Sequence, residues 1–429
     1  MRRISKLIVN VLCIYAMVFY PIAVSAQSIT VNGSSPANQR PVISNSGGKP
    51  LIKIAPPTNG VSVNKYSTFS TNSGAIFNNS KSSGASRTGG TVGANTRLGS
   101  GAEARVILND VVGTQRSNLS GDFEVVGKKA DVVIANRNGV TCDGCTFINS
   151  SRTTLSSGTP SVNAAGEVVL NVKKGNVQVG RDGVSADGHL NLVGRTVTVD
   201  GPLQATVVDA IGGASPYNAR TRAVGANTGT GAAGSVYAVD ATQFGAMTAG
   251  QIRIIGNENG LGVRAQGKLK STSTDVALHS KLGINHGAVD AKRDFVVRGA
   301  NGFVQQDKGT ARAGRNVDIR ALNYAQAGTT RLEAAGNLKI DAGDAILIAG
   351  EMFAATATFD AVKKVVNVGE IIASGDVEVV AGEVWHMRSA RRIDTFFATG
   401  GVADGCFVYC FDLGSLQIAG SANWTDRSY

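Results

Sequence analysis

Short runs of alternating apolar and polar residues recur along most of the chain, each closed by Gly or Asn. The clearest are GKLKSTSTDVAL from Gly267, GAVDAKRDFVV from Gly287, GTARAGRNVDI from Gly309, GTTRLEAAGNLKI from Gly328 and GEIIASGDVEVV from Gly369, with a poorer copy, GEMFAATATF, from Gly350. Successive starts are 20, 22, 19, 22 and 19 residues apart. Val317 and Ile319 alternate with polar neighbours, as do Leu338 and Ile340, and Val377 and Val379. A period of two places one face of each run inward and the other in water, which excludes helical repeats. A repeat near 20 residues built from such strands predicts a coiled β-solenoid. Leucine-rich repeats share the period but need a leucine-heavy pattern that is missing here.

Parallel strands about 4.8 Å apart satisfy their backbone groups from coil to coil. Each coil contacts only its neighbours and buries too little surface to stand alone. Upstream, VVLNVKKGNVQVG and HLNLVGRTVTVDG continue the alternation. Residues 212–235, GGASPYNARTRAVGANTGTGAAGS, interrupt it and read as a loop projecting from the coil or a flexible joint. Beyond Gly382 the repeat is expected to stop. Trp385, Phe396, Phe397, Phe407, Tyr409, Phe411 and Trp424 gather there, as a cap over the open end of a stack requires. The expected fold is all-β: a single right-handed parallel β-helix with extra-helical loops. Roughly 350 residues at one coil per 20 would build a rod on the order of 80 Å.

Fifty-four glycines, nine prolines and 6% aromatic residues suit a thin stack of short strands better than a thick globular core. The N-terminus carries Arg2, Arg3 and Lys6, an apolar run from Leu7 to Val24, and Val24-Ser25-Ala26, so residues 1–26 read as an export signal cleaved after Ala26. Cys13 follows Leu12 instead of a small residue, which argues against lipid attachment there. Cleavage removes three of the 42 basic residues and lowers the formal charge from +11 to +8. The remaining basic residues are scattered singly and not interleaved with aromatics, which points away from nucleic acid and toward acidic surfaces such as anionic glycans. Four cysteines remain, in the close pairs Cys142/Cys145 and Cys406/Cys410. An oxidising compartment favours a local bridge within each pair. A shared zinc site is disfavoured by their separation and by the lack of a histidine beside either.

The stretch from Ala130 to Pro160 is the most informative. Asn138-Gly139 lies between β-branched runs, and Asp143-Gly144 follows, framed by Cys142 and Cys145. Asn-Gly and Asp-Gly supply positive φ at low steric cost, so each predicts a reversed or kinked strand. A tight turn at Asp143-Gly144 would bring the two cysteine Cα atoms within disulfide reach. Upstream lie SGGKP at Ser46–Pro50, GVSVNKYSTF at Gly60–Phe69, IFNNS at Ile76–Ser80 and RVILNDV at Arg105–Val111. SNLSGDFEVVGKKADVVIAN then leads into the cysteine segment, and CTFINSSRTTLSSGTP closes the series. In this order, over more than 100 residues, these segments resemble the filamentous-haemagglutinin-type secretion domain of two-partner secretion exoproteins. The family's Asn-Pro-Asn-Leu motif appears as Asn95-Thr96-Arg97-Leu98, and its Asn-Pro-Asn-Gly-Ile motif as Asn136-Arg137-Asn138-Gly139-Val140. Asn95, Leu98, Asn136, Asn138 and Gly139 are therefore the candidate secretion-motif residues. Both motifs lack the proline, which is expected to loosen each turn while leaving the Asn-Gly pair in place.

The resemblance implies a secretion domain over residues 27–211, then the loop over 212–235, haemagglutinin-like repeats over 236–382 and a cysteine-containing tail over 383–429. It implies a secreted or surface protein of a Gram-negative bacterium that leaves through the periplasm. The implied export partner is an outer-membrane β-barrel transporter with periplasmic POTRA-type domains. The implied role is adhesion to host or bacterial surface glycans, with no catalysis, no cofactor and no nucleic acid. A Cys406–Cys410 loop would resemble the terminal feature that holds some family members at the pore. Two alternatives are the stalk remnant of a contact-dependent toxin and a β-helical polysaccharide hydrolase or lyase.

A hydrolase needs carboxylates converging on one groove, and Asp290, Asp318 and Asp341 are the candidates for stacking on neighbouring coils. His189, His279, His286 and His386 are expected at the surface, with His279 and His286 in one coil. Gly229 to Gly234 fits a dinucleotide pattern by letter but follows a loop instead of a strand. Gly262 to Lys268 has Walker-like spacing, but Leu269 stands where a magnesium-binding hydroxyl belongs.

Overall fold

The computed structural model describes residues 28–99, 101, 103–229, 235–386, 393–399 and 417–419. The expected leader, Cys406, Cys410, Phe407, Tyr409, Phe411 and Trp424 lie outside the described residues. From Val61–Phe69 onward, the strands of the rod pair in parallel with those of the next coil, as far as Gln417–Ala419. The result is a parallel β-solenoid of about 15 turns. At ~4.8 Å per coil that is a rod of about 70 Å.

Alternation along each strand becomes columns along the axis. Leu269, Val289, Ala311, Leu332, Met352 and Ile371 pair in series through six coils, and each is at most 3% exposed. Val276, Phe295, Val317, Leu338, Ala357 and Val377 form a second inward column. Each larger member stabilises the stack by about 1.5–3 kcal/mol relative to exposure. Column size is matched locally: Phe123 and Phe147 stack at 5.0 Å, and the same column continues with Ala75 on one side and Ala186 on the other.

One repeat start is displaced. Ala311 pairs with Leu332 and Leu332 with Met352, so Thr330, not Gly328, occupies the corner held by Gly309 and Gly350 in the flanking coils. Two extra residues are taken up in a turn where the Thr330 N–H and hydroxyl both donate to the Ala327 carbonyl, at 3.1 and 2.7 Å. Small residues recur at this corner because the next coil lies directly against it. A Cβ on Gly369 would stand 2.1 Å from the Gly350 carbonyl oxygen.

The two ends and the central insertion depart from simple coiling. At the N-terminal end, Ile29–Val31 pairs antiparallel with Val61–Phe69, and Val42–Ser46 forms a hairpin with Lys49–Lys53. Antiparallel cover of this kind blunts an open sheet edge. At the other end, the stack does not stop at Gly382. Glu370–His386 carries the ladder past it, Val377 pairs with Phe396, and Phe397 pairs with Gln417. The repeat signature fades there, but backbone pairing needs no particular side chain.

The insertion after Gly212 is a projecting loop that folds back onto the rod. Leu203 pairs directly with Met247, so the stack is unbroken across it. Pro216–Asn218 joins Thr159–Val162 and Val168–Asn171 in an antiparallel three-stranded outer sheet. Val168, Leu170 and Tyr217 of this sheet pack on Leu108, Val133 and Ile211 of the solenoid. Beneath it lies the fully buried Asp209. Its carboxylate accepts from Arg222 at 2.6 and 2.8 Å, from Arg253 at 2.6 and 3.2 Å, and from the Tyr217 hydroxyl at 3.3 Å. Burial pushes the Asp209 carboxyl up, but the two guanidinium hydrogen bonds outweigh it and hold the group below the ordinary carboxylate range.

The histidines separate. His279 is half-buried and pairs with Arg298, whereas His286 is fully buried, correcting the expectation of a surface position. His286 continues an inward column, Ala265–His286–Gln306–Gln326, and packs edge-on against Phe295 at 5.2 Å. Burial pushes its imidazole down to about 4. The unfolded chain, titrating near 6.5, then binds a proton that the native state refuses. His286 therefore contributes stability in full above pH ~6.5 and loses it as pH falls toward ~4, by up to about 3 kcal/mol. His286→Gln, which extends the glutamine column, should remove most of this slope in urea unfolding between pH 7 and 4.5. An unchanged slope would assign the acid sensitivity elsewhere.

Candidate secretion-motif site

Both candidate motifs form the same small structure. Asn95 caps the short 3-10 turn Thr96–Leu98: its Oδ1 accepts from the Arg97 N–H at 3.2 Å, and Leu98 drops into the core. The Asn95 Nδ2 donates outward to the carbonyls of Asn78 at 2.9 Å and Ile54 at 3.1 Å. Asn136 repeats this at a second corner. Its Oδ1 accepts from the Asn138 N–H at 3.0 Å, while its Nδ2 donates to the Gln115 carbonyl at 2.9 Å and the Ser117 hydroxyl at 3.0 Å. An asparagine that accepts from the N–H two residues on mimics a backbone turn. That bond holds each turn with Thr96 and Arg137 where the family has proline.

Asn138 and Gly139 complete the second corner. The Asn138 Nδ2 donates to the Gly113 carbonyl at 2.8 Å, and the Gly139 N–H to the Asn136 carbonyl at 2.8 Å. Gly139 has φ of +107°, and a Cβ there would stand 2.3 Å from the Arg116 guanidinium. That guanidinium crosses the turn to donate to the Thr141 hydroxyl at 2.6 Å and the Val140 carbonyl at 2.9 Å, and burial lowers its pKa. The two motifs share no bonding partner and lie at separate corners. Each ties one coil to its neighbour. Asn136→Ala should destabilise the chain by about 2–3 kcal/mol, because buried polar groups in both coils lose partners. Urea unfolding measures this, and a loss under about 0.5 kcal/mol would show the corner held by other bonds.

Asp143-Gly144 kinks its strand without reversing it. Val140–Ile148 runs through, and its ladder to Ser117–Gly127 shifts register between Cys142 and Cys145. This extra length turns a solenoid corner, with the cysteine Cα atoms 5.9 Å apart and a disulfide between them. Both cysteines are buried in the main core. A bridge closing so short a loop restricts the unfolded chain little.

Further asparagines, unassigned from sequence, carry the same chemistry. Asn64 and Asn109 are fully buried and adjacent in the ladder. Asn64 accepts from the Ala55 N–H at 2.9 Å and Asn109 from the Tyr66 hydroxyl at 3.0 Å. Asn79 binds the Ala104 backbone on both sides, at 2.8 and 2.9 Å. The signal for them was an asparagine inside an apolar strand, as in VILNDV and AIFNN.

The remaining candidates are not assembled. Asp290 pairs with Arg312, Asp318 with Lys339 and Asp341 with Asp360, so the three carboxylates do not stack in one column. Arg320 lies 3.8 Å from both Asp318 and Asp341, while Asp290 is on a different strand series. Gly262 to Lys268 covers the strand Gly262–Ala265 and the corner after it, without a helix. Of Gly229 to Gly234, only Gly229 is among the described residues.

The TPS secretion domain profile matches residues 27–291, running through the inserted loop into the repeats. The chain is 38% identical over 256 residues to a filamentous hemagglutinin of Bordetella pertussis, covering 56% of this chain and 7% of that protein. It is 35% identical over 289 residues to a CdiA toxin of Yersinia pestis, covering 66% and 9%. A hemolysin of Proteus mirabilis is 36% identical over 227 residues, covering 52% and 14%. The chain thus spans about a tenth of the length of these relatives. The crystal structure of the filamentous hemagglutinin secretion domain superposes with a TM-score of 0.58 at 32% identity, covering 76% of this chain and all of that one. Such a domain implies secretion by a Gram-negative bacterium through a cognate transporter. With its solenoid, its paired asparagine corners and a profile match over most of its length, the chain belongs to the TPS secretion-domain family of two-partner secretion exoproteins.

Proposed function

We propose that the chain is exported through an outer-membrane β-barrel transporter with POTRA-type periplasmic domains and acts outside the cell as an adhesin of the haemagglutinin kind, without catalysis. The observation that carries this reading is the 38% identity to a filamentous hemagglutinin over 256 residues. A continuous rod with exposed corners supports it, since each added coil extends the surface offered to a partner. The similarity to toxins and to a hemolysin is of the same order, so their activities are the alternatives that the test separates. The test applies the purified secreted chain to epithelial cells, erythrocytes and competing bacteria. Saturable cell binding or agglutination is expected. Erythrocyte lysis, or growth inhibition of neighbouring bacteria without binding, would replace adhesion with one of the other activities. Release of reducing ends from polysaccharides would restore the hydrolase alternative.

A further inference from the structure

Successive coils open a shallow groove of about 620 Å³ at one corner of the rod. Val179, Val199, Ala241 and Ala265 pair in register from coil to coil. The residues that follow them, Gly180, Asp200, Thr242 and Gln266, therefore stack along the corner and line the groove. The turn after Ala241 lifts Phe244 to the rim, where its ring is 61% exposed. Leaving a phenyl ring in water forgoes on the order of 1.5–3 kcal/mol.

The turn that carries the ring is nevertheless braced. The Gly245 N–H donates to the Thr242 carbonyl and the Ala246 N–H to the Phe244 carbonyl, each at 2.9 Å. The Arg181 guanidinium lies 5.8 Å from the ring centroid. Gly245 packs so tightly on the coil below that a Cβ would stand 2.2 Å from the Val199 carbonyl oxygen. Around this plate, the side-chain amides of Gln178, Gln243 and Gln266 and the carboxylate of Asp200 have no hydrogen-bond partner among the described residues.

An exposed apolar plate on a braced turn, ringed by free amides, suits a ligand with a C–H face and a rim of hydroxyls. A sugar ring has both. Each amide donates and accepts at once, as a hydroxyl does, and the aromatic face supplies apolar contact. Charge narrows the class. Asp143 and Asp200 outnumber Arg181 in the groove, so it repels uronates and sulfates although the whole chain is +11. Length narrows it further, because a β-linked pyranose chain advances ~5 Å per sugar, close to the ~4.8 Å coil spacing. We propose that this corner binds a neutral β-linked oligosaccharide along the solenoid axis, three sugars or so in length, with one ring stacked on Phe244.

The inference gives the adhesive reading a ligand class and rests on that reading for its use outside the cell. Isothermal titration of the purified full chain with chitohexaose, cellohexaose and a heparin-derived hexasaccharide tests it, with cell binding measured in parallel. One of the neutral hexasaccharides is expected to bind in about the millimolar range or tighter, and the heparin fragment not to compete. Phe244→Ala should weaken binding about tenfold or more, and the double variant Gln178→Ala/Gln266→Ala about threefold or more. Phe244 is exposed and the two glutamines are half-buried at the groove, and an unchanged far-UV circular dichroism spectrum verifies the fold. Failure of both neutral sugars to bind, or wild-type affinity in Phe244→Ala, overturns the proposal. If cell binding persists in that case, the adhesive reading stands without this groove.

Discussion

Replacing Asp209 by Ala should destabilise the chain by about 3–5 kcal/mol, because it leaves two guanidinium groups facing a buried site with no counter-charge. Arg222 and Arg253 each engage the carboxylate with two hydrogen bonds, and Arg222 belongs to the insertion while Arg253 belongs to the coil below. The outer sheet should therefore loosen first. Limited proteolysis is expected to cut within residues 213–229 in the variant and not in the native chain. Asp209→Asn keeps the shape and one acceptor and should fall between the two. Because the native carboxyl is held below its ordinary value, its contribution is complete above pH ~4 and is lost as pH falls through the lowered native value. Equal protease resistance in Asp209→Ala, with a stability loss under about 1 kcal/mol, would mean that apolar packing alone docks the sheet.

Phe147→Ala should cost a similar amount, about 3–5 kcal/mol, through a different mechanism. Phe147 is fully buried and stacked on Phe123, with planes 16° apart. Ala186 follows in the next coil and cannot fill the void. Truncation thus loses the transfer energy of the ring, creates a cavity and strips Phe123 of its partner. Urea unfolding should show a lower midpoint. Phe147→Leu, which keeps most of the volume, should recover a large part of the loss. If Ala and Leu variants unfolded alike, the column would not be close-packed as described.

The fold was readable from the sequence where one physical rule dominated. Alternation around Val317, Leu338 and Val377 placed the inward residues correctly, because a two-residue period admits only that arrangement once one face is buried. The start assigned to Gly328 slipped by two because a glycine letter stood in for the corner, and the ladder at Leu332 shows that Thr330 fills it. His286 was misplaced for a related reason. Its inward position follows from pairing with Ala265 and Gln306, and a polar letter gives no hint of that. The docking of the insertion depends on Asp209 meeting Arg222 and Arg253, contacts that no local pattern contains. The motif asparagines were legible as turn residues. Their second task, donating from Nδ2 to neighbouring carbonyls, was not, since it needs the next coil in place.

A TPS secretion domain implies export by a cognate transporter. The most direct measurement is the fraction of the chain found outside a Gram-negative host expressing it with, and without, an outer-membrane β-barrel transporter of the two-partner type from the same organism. Transporter-dependent appearance in the medium or on the cell surface, with periplasmic retention in its absence, is the predicted result. Equal release with and without the transporter would contradict the account.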